Sequence, residues 1–403
     1  MASRLTPIAD ALAHLLSCVR KTDGTEVVAL ATAGGRVLAA DITATLAVPG
    51  YDNSAMDGYA VKAADCGDAT RALTVTQTIA AGHPGQPVGA GMAARIFTGA
   101  PIPAGADAVV MQENVRREGE KVYVLQAPSL GENIRREGHD IALGSSVLKQ
   151  GRRLQPQDLG LLASLGLASV HVYQPLTVAL VNTGDEVVQQ GQSLKPGQLY
   201  DSNSFTLAGL LQQLGMRVVK VGIIADSLPA TVSALRSAAA QADCVITTGG
   251  VSVGEADYVK QAVDQIGSLS LWKLAIKPGK PFSFGSLGEV PFFGLPGNPV
   301  AVFITFVTLV QPFLLKMQGA TSDSAPVFKV RAGFSVSEPG TRQEYLRVRV
   351  QQRDGEPVAV LFDDQSSSVL TSLSWADGLA IVPVSTIVQA GQWLDYLPFK
   401  GVI

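Results

Sequence analysis

The chain has 403 residues, 47% of them hydrophobic and 16% charged, and a formal net charge of −3 at pH 7. This length predicts two to four domains with substantial cores, and the small net charge excludes a general attraction to nucleic acid or to anionic membranes. The three cysteines, Cys18, Cys66 and Cys244, lie too far apart for a disulfide framework or a cysteine-built metal site, which favours a reducing cytoplasm.

The N-terminal part predicts a helix followed by a strand. Asp10 and His14 interrupt its apolar residues, so no signal-peptide core is expected, and we predict that the protein is not exported. The stretch PGYDNSAMDGYA, 49–60, then predicts an irregular loop with two aspartates. Short β-prone pieces follow, and helical spacing resumes over 156–170. We therefore predict a helical framework domain, residues 1–48 and 143–174, into which a β-rich domain, residues 49–142, is inserted.

Residues 175–322 alternate predicted strands and helices, as in a three-layer α/β domain with a parallel sheet. The most apolar run, 300–310, is shorter than the roughly 18–20 residues that cross a bilayer, so it predicts a buried helix and no membrane contact. Residues 323–403 predict a terminal β domain, a sandwich or small barrel. The predicted fold class is therefore α/β multidomain, with framework, inserted β-rich and C-terminal barrel-like domains.

Polar loops follow the predicted strands of the α/β domain, where ligands bind in open α/β sheets. The first is NTGDE, 182–186, the second contains Asp226, and the third is TTGGVSVGEADY, 247–258. Glycines in the third loop allow backbone amides to converge on a phosphate or oxyanion. A loose surface loop is the alternative.

GLPGNPV, 294–300, predicts a helix that begins at Pro299 with Asn298 as its cap, and such a helix start suits a phosphate. A capped core helix is the alternative. Three lysines lie close together in sequence: Lys273, Lys277 and Lys280. Their ammonium groups are suited to binding an oxyanion, and the alternative is that they are ordinary solvated surface residues. The predicted rim also carries three carboxylates, Glu186, Asp226 and Asp257. Carboxylates beside phosphates can share Mg²⁺ with them. The alternative is that these side chains cap their own loops.

The four histidines have no metal-ligand spacing, and no G-x-S-x-G nucleophile elbow occurs. A serine hydrolase is therefore not expected.

Six motifs in order resemble the molybdopterin molybdenumtransferase family, the bacterial molybdenum insertases related to the C-terminal domain of gephyrin. They are PGYDNSAMDGYA, FTGAPIPAGADAVVMQE, NTGDE, TTGGVSVGEADY, WKLAIKPGKPFSFG and GLPGNPVAVF. The resemblance implies an α/β domain that binds adenylylated molybdopterin, inserts molybdate and releases AMP. It also implies a homodimer in which Asp57 and Thr98 of one subunit face the α/β cleft of the other.

The resemblance also implies roles for individual residues. The catalytic set would be Asp57, Thr98, Glu186, Asp226, Asp257, Lys273, Lys277, Arg347 and Ser367. The substrate-binding set would be Thr183, Gly184, Asp185, Gly249, Gly250, Ser252, Gly254, Lys280, Pro296, Gly297, Asn298 and Pro299. Family members often have glycine where this chain has Ser366, next to Ser367.

Two other functions are compatible with parts of this pattern. A molybdopterin adenylyltransferase resembles the α/β domain but would not need the other domains. A non-catalytic molybdopterin carrier would keep the pocket without the chemistry. The expected partners are a second copy of the chain, an adenylyltransferase and proteins that mature molybdoenzymes.

Overall fold

The computed structural model describes residues 5–250, 258–321 and 326–400. The N-terminal segment contains α1 (Ile8–Ser17), β1 (Thr25–Ala29), a 3-10 turn (Leu30–Thr32) and β2 (Ile42–Thr43). Helix α1 forms as predicted, because its apolar side chains recur at helical spacing and bury Ala11 and Leu15 against the core.

The next segment is rich in strands, as predicted. It contains β3 (Asn53–Ser54), β4 (Gly58–Val61), a 3-10 turn (Ala63–Asp65), β5 (Ala72–Ile79), β6 (Met92–Ile96), β7 (Ala108–Met111), a 3-10 turn (Gln112–Asn114), β8 (Val115–Glu118), β9 (Lys121–Val124) and β10 (Ile134–Arg135). Six of these strands form one sheet in the order β7-β4-β6-β5-β9-β8, and β3 pairs with β10. Buried side chains of this sheet form a separate core that includes Val61, Leu73 and Val122.

The chain then returns to its N-terminal segment. It forms β11 (Ser146–Leu148), α2 (Pro156–Ser164) and β12 (Ser169–Tyr173). Strand β12 pairs antiparallel with β1, and β11 pairs with β2. The two chain ends of the β-rich segment therefore lie side by side, which is the condition for an insertion. The framework contains these strand pairs in addition to its helices, and its domain limits stay a prediction.

The α/β part begins with β13 (Thr177–Thr183), β14 (Val187–Val188), β15 (Leu199–Tyr200), α3 (Asn203–Gln213), β16 (Arg217–Ile224), α4 (Leu228–Gln241) and β17 (Cys244–Thr248). It continues with α5 (Tyr258–Ile266), β18 (Gly267–Lys273), β19 (Ile276–Lys277), β20 (Pro281–Leu287) and β21 (Val290–Leu295). The main sheet has the order β16-β13-β17-β21-β20-β18. Strands β16, β13, β17 and β21 pair in parallel as predicted. Strand β20 runs antiparallel to both of its neighbours, β21 and β18, and only Gly288 and Glu289 connect it to β21.

A long helix covers one face of this sheet together with α1 and α3. It consists of α6 (Pro299–Thr305), a π-helical turn (Phe306–Val310) and α7 (Gln311–Met317). Helices α4 and α5 cover the other face, which gives the predicted three layers.

Among the described residues this long helix is the one that is long and apolar enough to cross a membrane, with 19 residues and a mean hydropathy of 1.9. The length argument made from 300–310 is therefore wrong, since the helix continues to Met317. However, 89% of its apolar stretch is buried inside the protein, as in a core helix. The predicted burial is confirmed.

The C-terminal part forms a closed β barrel. It contains β22 (Phe328–Ala332), β23 (Gln343–Arg353), β24 (Glu356–Leu361), α8 (Thr371–Trp375), β25 (Gly378–Val382) and β26 (Trp393–Pro398). Strand β23 pairs with both β24 and β25, which closes the barrel, and β19 of the α/β part pairs with its first residues. One large core cluster joins α1, the α/β part and the barrel, and it includes Leu15, Phe313 and Leu397.

Candidate functional site

A cleft of about 560 Å³ opens where β13, β17 and β21 end. Its walls contain Thr183 and Glu186 from the first loop, Gly249 from the third, and the start of α6. The carboxyl ends of neighbouring parallel strands meet at one edge of a sheet, so loops far apart in sequence converge there. The predicted convergence of NTGDE, TTGG and PGNP is therefore observed.

Glycines are needed at this edge for conformational and steric reasons. Gly249 and Gly250 have φ angles of 82° and 63°, which other residues rarely adopt. A Cβ atom added to Gly250 would lie 2.5 Å from Cγ2 of Val259, and one added to Gly297 would lie 4.0 Å from Cα of Gly249. The third loop and the loop before α6 therefore approach each other closely enough to contact one ligand.

Carboxylates border a smaller adjoining hollow of about 160 Å³. Glu186 and Asp226 both line it, and Glu186 also lines the main cleft. Asp185 lies beside them, because its Oδ1 accepts a hydrogen bond of 3.2 Å from the backbone N–H of Asp226. Two of the three predicted magnesium ligands thus share one hollow.

Three residues of the predicted site fall outside the described residues: Ser252, Gly254 and Asp257. The complete three-carboxylate set is for this reason untested. Within residues 5–250, 258–321 and 326–400, no group of three or more His, Cys, Asp or Glu side chains is arranged to hold a metal ion.

The start of α6 differs from the prediction in one respect. Pro299 occupies the first helical turn as predicted, but the side chain of Asn298 makes no capping hydrogen bond. Its Nδ2 instead donates to Oγ of Ser367 at 2.9 Å, and the N–H of Val300 donates to the backbone oxygen of Ser367 at 3.1 Å. The cap is therefore supplied by the C-terminal barrel. Pro296 is buried and does not line the cleft.

Ser367 thus contacts the start of α6, but neither Ser367 nor Arg347 is among the residues that line the cleft. The Arg347 residue is only 1% exposed, and burial lowers the pKa of its guanidinium to about 10. Its Nε donates to Oγ of Ser372 and its Nη2 to the backbone oxygen of Ser366, both at 3.0 Å. Arg347 therefore holds the loop that carries Ser367, and its catalytic role stays a prediction.

The three predicted lysines are exposed, and they line neither hollow. Lys277 forms an ion pair of 3.1 Å with Glu344 of the barrel. Their segment packs against α6 at Gly279, where an added Cβ would lie 2.7 Å from Cγ2 of Thr305. The structure therefore places this segment against α6 and none of the three lysines in the lining of the cleft.

Sequence reasoning missed one wall of the cleft. This wall contains Leu199, Tyr200, Asp201, Ser202 and Asn203. Asp201 is buried and accepts from the N–H and hydroxyl of Ser204, and Nδ2 of Asn203 donates to the oxygen of Gly297 at 2.8 Å. The sequence Asp-Ser-Asn before an apolar helix is a helix-start signal that could have identified these residues. Ser368 and Leu370 of the barrel were missed as well.

Asp57 and Thr98 form a separate group on the β-rich segment. Both the N–H and the hydroxyl of Thr98 donate to Oδ1 of Asp57, at 2.8 and 2.7 Å. The backbone donor first, and then the hydroxyl, lower the pKa of the Asp57 carboxyl below its usual value. No residue of 49–142 lines either hollow among the lining residues that the structure describes.

A further hollow, of about 510 Å³, lies at the opposite edge of the main sheet. It is bordered by the end of α1 and by Asp243 and Val290 at the starts of parallel strands. None of the predicted site residues lines it, so the strand-end cleft is the candidate site.

The fold and this cleft define a class: α/β proteins with a glycine-lined cleft at the strand ends, extended by an inserted β-rich part and a C-terminal barrel. Three family models match the chain. They are the MoeA N-terminal region (domain I and II) over residues 6–166, the probable molybdopterin binding domain over 179–316, and the MoeA C-terminal region (domain IV) over 329–399. The chain therefore belongs to the MoeA family, the molybdopterin molybdenumtransferases.

Relatives and solved structures agree with this assignment. A molybdopterin molybdenumtransferase of Haemophilus influenzae is 44% identical over 326 residues, 80% of each chain. One of Nostoc sp. is 36% identical and covers 95% of this chain and 91% of its own. The crystal structure of a molybdopterin biosynthesis MoeA protein from Pyrococcus horikoshii OT3 is similar over 98% of this chain and 100% of its own, with 31% identity and a TM-score of 0.85.

Proposed function

We propose that this chain inserts molybdenum from molybdate into adenylylated molybdopterin and releases AMP. The observation that carries the proposal is the convergence of two glycine-containing loops, a helix start and two carboxylates at one cleft of a chain of this family. Backbone amides of glycine-containing loops stabilise phosphate oxygens. The cleft is therefore suited to a pyrophosphate-linked ligand.

In this proposal the three lysines attract the second anion. Molybdate and a pyrophosphate repel each other, so their approach requires fixed positive charge. Lys277 and Lys273 would supply this charge at the rim. Thr183, Gly249 and Gly297 would position the phosphates within the cleft.

Mg²⁺ belongs to the proposal, and the donor set fits it. Glu186 and Asp226 line the same hollow, and Thr231 and Tyr258 line it as well. Hard oxygen donors are the ligands that Mg²⁺ prefers. When bound, the ion neutralises charge on phosphate oxygens. The carboxylates would hold it or orient water.

The direct test follows AMP. Purified protein is incubated with adenylylated molybdopterin, molybdate and Mg²⁺, and AMP is measured over time. We expect release that depends on molybdate, and Asp226→Asn should reduce its rate more than it weakens pterin binding. Binding of the pterin without AMP release would identify a carrier, and formation of adenylylated molybdopterin from ATP would identify an adenylyltransferase.

We also propose a homodimer in which Asp57 and Thr98 complete the cleft of the partner subunit. Co-expression of Asp57→Ala and Asp226→Ala chains tests this arrangement. With random pairing half of the dimers are mixed, and each mixed dimer has one intact cleft, so about a quarter of wild-type activity should return. Differential tags and native mass spectrometry verify the mixed dimers. No recovery in verified mixed dimers would show that the two aspartates act within one subunit.

The proposed setting is the cytoplasm, where an adenylyltransferase would supply the substrate and molybdoenzyme maturation proteins would receive the product. A pull-down from a cytoplasmic fraction, compared with a membrane fraction, tests this proposal. Recovery of the chain only with membranes would contradict it.

A further inference from the structure

Lys277 differs from its neighbours in having a fixed anionic partner. Its Nζ lies 3.1 Å from Oε1 of Glu344, which belongs to the barrel. Within the part of the chain that the structure describes, Lys273 and Lys280 make no ion pair. Lys277 is therefore the lysine whose availability to a ligand depends on another domain.

Backbone pairing fixes this contact. The strands β19 and β23 run parallel, with Ile276 opposite Gln343 and Lys277 opposite Glu344. The N–H of Gln343 also donates to the oxygen of Ala275 at 2.8 Å. The α/β part and the barrel are hydrogen-bonded at this point, so the two charges meet whenever the domains are docked.

The two partners differ in freedom of movement. The Glu344 side chain is 16% exposed, and the Lys277 side chain is 51% exposed. Gly340 leaves room for the carboxylate, because a Cβ added there would lie 2.9 Å from Oε1 of Glu344. Lysine has a flexible four-carbon stem and a mobile ammonium group. When the ion pair opens, the Lys277 side chain therefore moves and the Glu344 side chain stays in place.

We propose that Glu344 sets the affinity for the oxyanion by competing with it for Lys277. This inference rests on the proposed function, in which Lys277 binds the oxyanion substrate. The carboxylate occupies the ammonium group in the resting protein, and an entering oxyanion replaces it. Because Glu344 competes for the ammonium group of Lys277, it favours release of the bound anion, after which the ion pair forms again.

Glu344→Gln tests the proposal, since it removes the charge and keeps the shape and one acceptor oxygen. Half-exposed ion pairs are weak, so the KM for molybdate should fall by about two- to fivefold while kcat does not rise. AMP release is measured at saturating adenylylated molybdopterin, with molybdate varied at constant ionic strength because salt screens such pairs. Glu344→Asp, which shortens the side chain, should shift KM less, in the same direction.

A double-mutant cycle separates this inference from the function on which it rests. Lys277→Met should raise the KM for molybdate, and adding Glu344→Gln should then change nothing. Asp395→Asn is the matched control. It removes the charge of a different ion pair in the same barrel, in which Nζ of Lys329 lies 2.7 Å from Oδ1 of Asp395. It should leave KM unchanged.

Three results would overturn the proposal. An unchanged or higher KM in Glu344→Gln refutes the competition, provided that circular dichroism and melting match the wild type. An equal fall in the Lys277→Met background shows that Glu344 acts without Lys277. A normal KM in Lys277→Met, with normal molybdate-dependent AMP release, removes Lys277 from the oxyanion site but leaves the proposed function standing.

Discussion

Arg347→Met should destabilise the C-terminal barrel and, through it, disturb the cleft. The guanidinium group is buried, and two of its hydrogen bonds, to Ser372 and Ser366, are 3.0 Å long. Charge-assisted hydrogen bonds contribute about 1.5–3 kcal/mol each, and the variant loses both of these. Met retains much of the apolar stem. We therefore expect a loss of about 3–5 kcal/mol.

This loss corresponds to a measurable change in melting temperature. If all 403 residues unfold together, the melting temperature should fall by about 4–6 °C. The loop of Ser366 and Ser367 should also loosen from the start of α6, which should raise the KM for the pterin substrate. Differential scanning fluorimetry and the AMP assay measure the two effects.

Arg349→Met is the matched control for this variant. Arg349 lies two residues further along the same strand, is exposed, and donates to the oxygen of Trp375. Its loss should cost less than about 1 kcal/mol. If Arg347→Met melts like the wild type but releases no AMP, Arg347 contacts the ligand and the stabilising role inferred from its burial is refuted.

Three more predictions concern single positions. Thr98→Val removes one donor to Asp57 and should raise the pKa of that carboxyl, so the acid limb of the pH–rate profile moves to higher pH; an unmoved limb would separate Asp57 from catalysis. Gly250→Ala should abolish pterin binding, because the added Cβ would contact Val259. Gly209 is exposed on α3 with open space around it, so Gly209→Ala should stabilise the protein by about 0.5–1 kcal/mol, as measured by thermal melting. A thiol reagent at pH 8 should modify exposed Cys18 before Cys66, because burial raises the pKa of the Cys66 thiol to about 11; mass spectrometry of the native protein showing Cys66 modified first would contradict this order.

The sequence predicted the cleft because its main features are local. Pro299 at a helix start and glycines at strand ends are recognisable within a few residues, and parallel strands bring their ends together. The antiparallel arrangement of β20 and β21 was also readable, from the two-residue connection at Gly288 and Glu289, but it was missed.

Contacts between distant segments could not be predicted in this way. Asn298 is a favourable cap by residue type, yet its partner is Ser367 in another domain. Arg347 has the residue type of an anion ligand, and only the packing of β23 against α8 shows that it is buried. Burial and long-range pairing depend on how the domains dock, which the local pattern does not contain.

The shared core places a constraint on how the chain is synthesised. Thr6 exchanges backbone hydrogen bonds with Lys273 and Ala275, about 270 residues later, so at roughly 5–20 residues per second the ribosome needs about 13–54 s to make these partners. The apolar face of α1, including Leu15, has no completed core to pack against during that interval. We expect that nascent chains shorter than about 317 residues depend on chaperones that shield this helix.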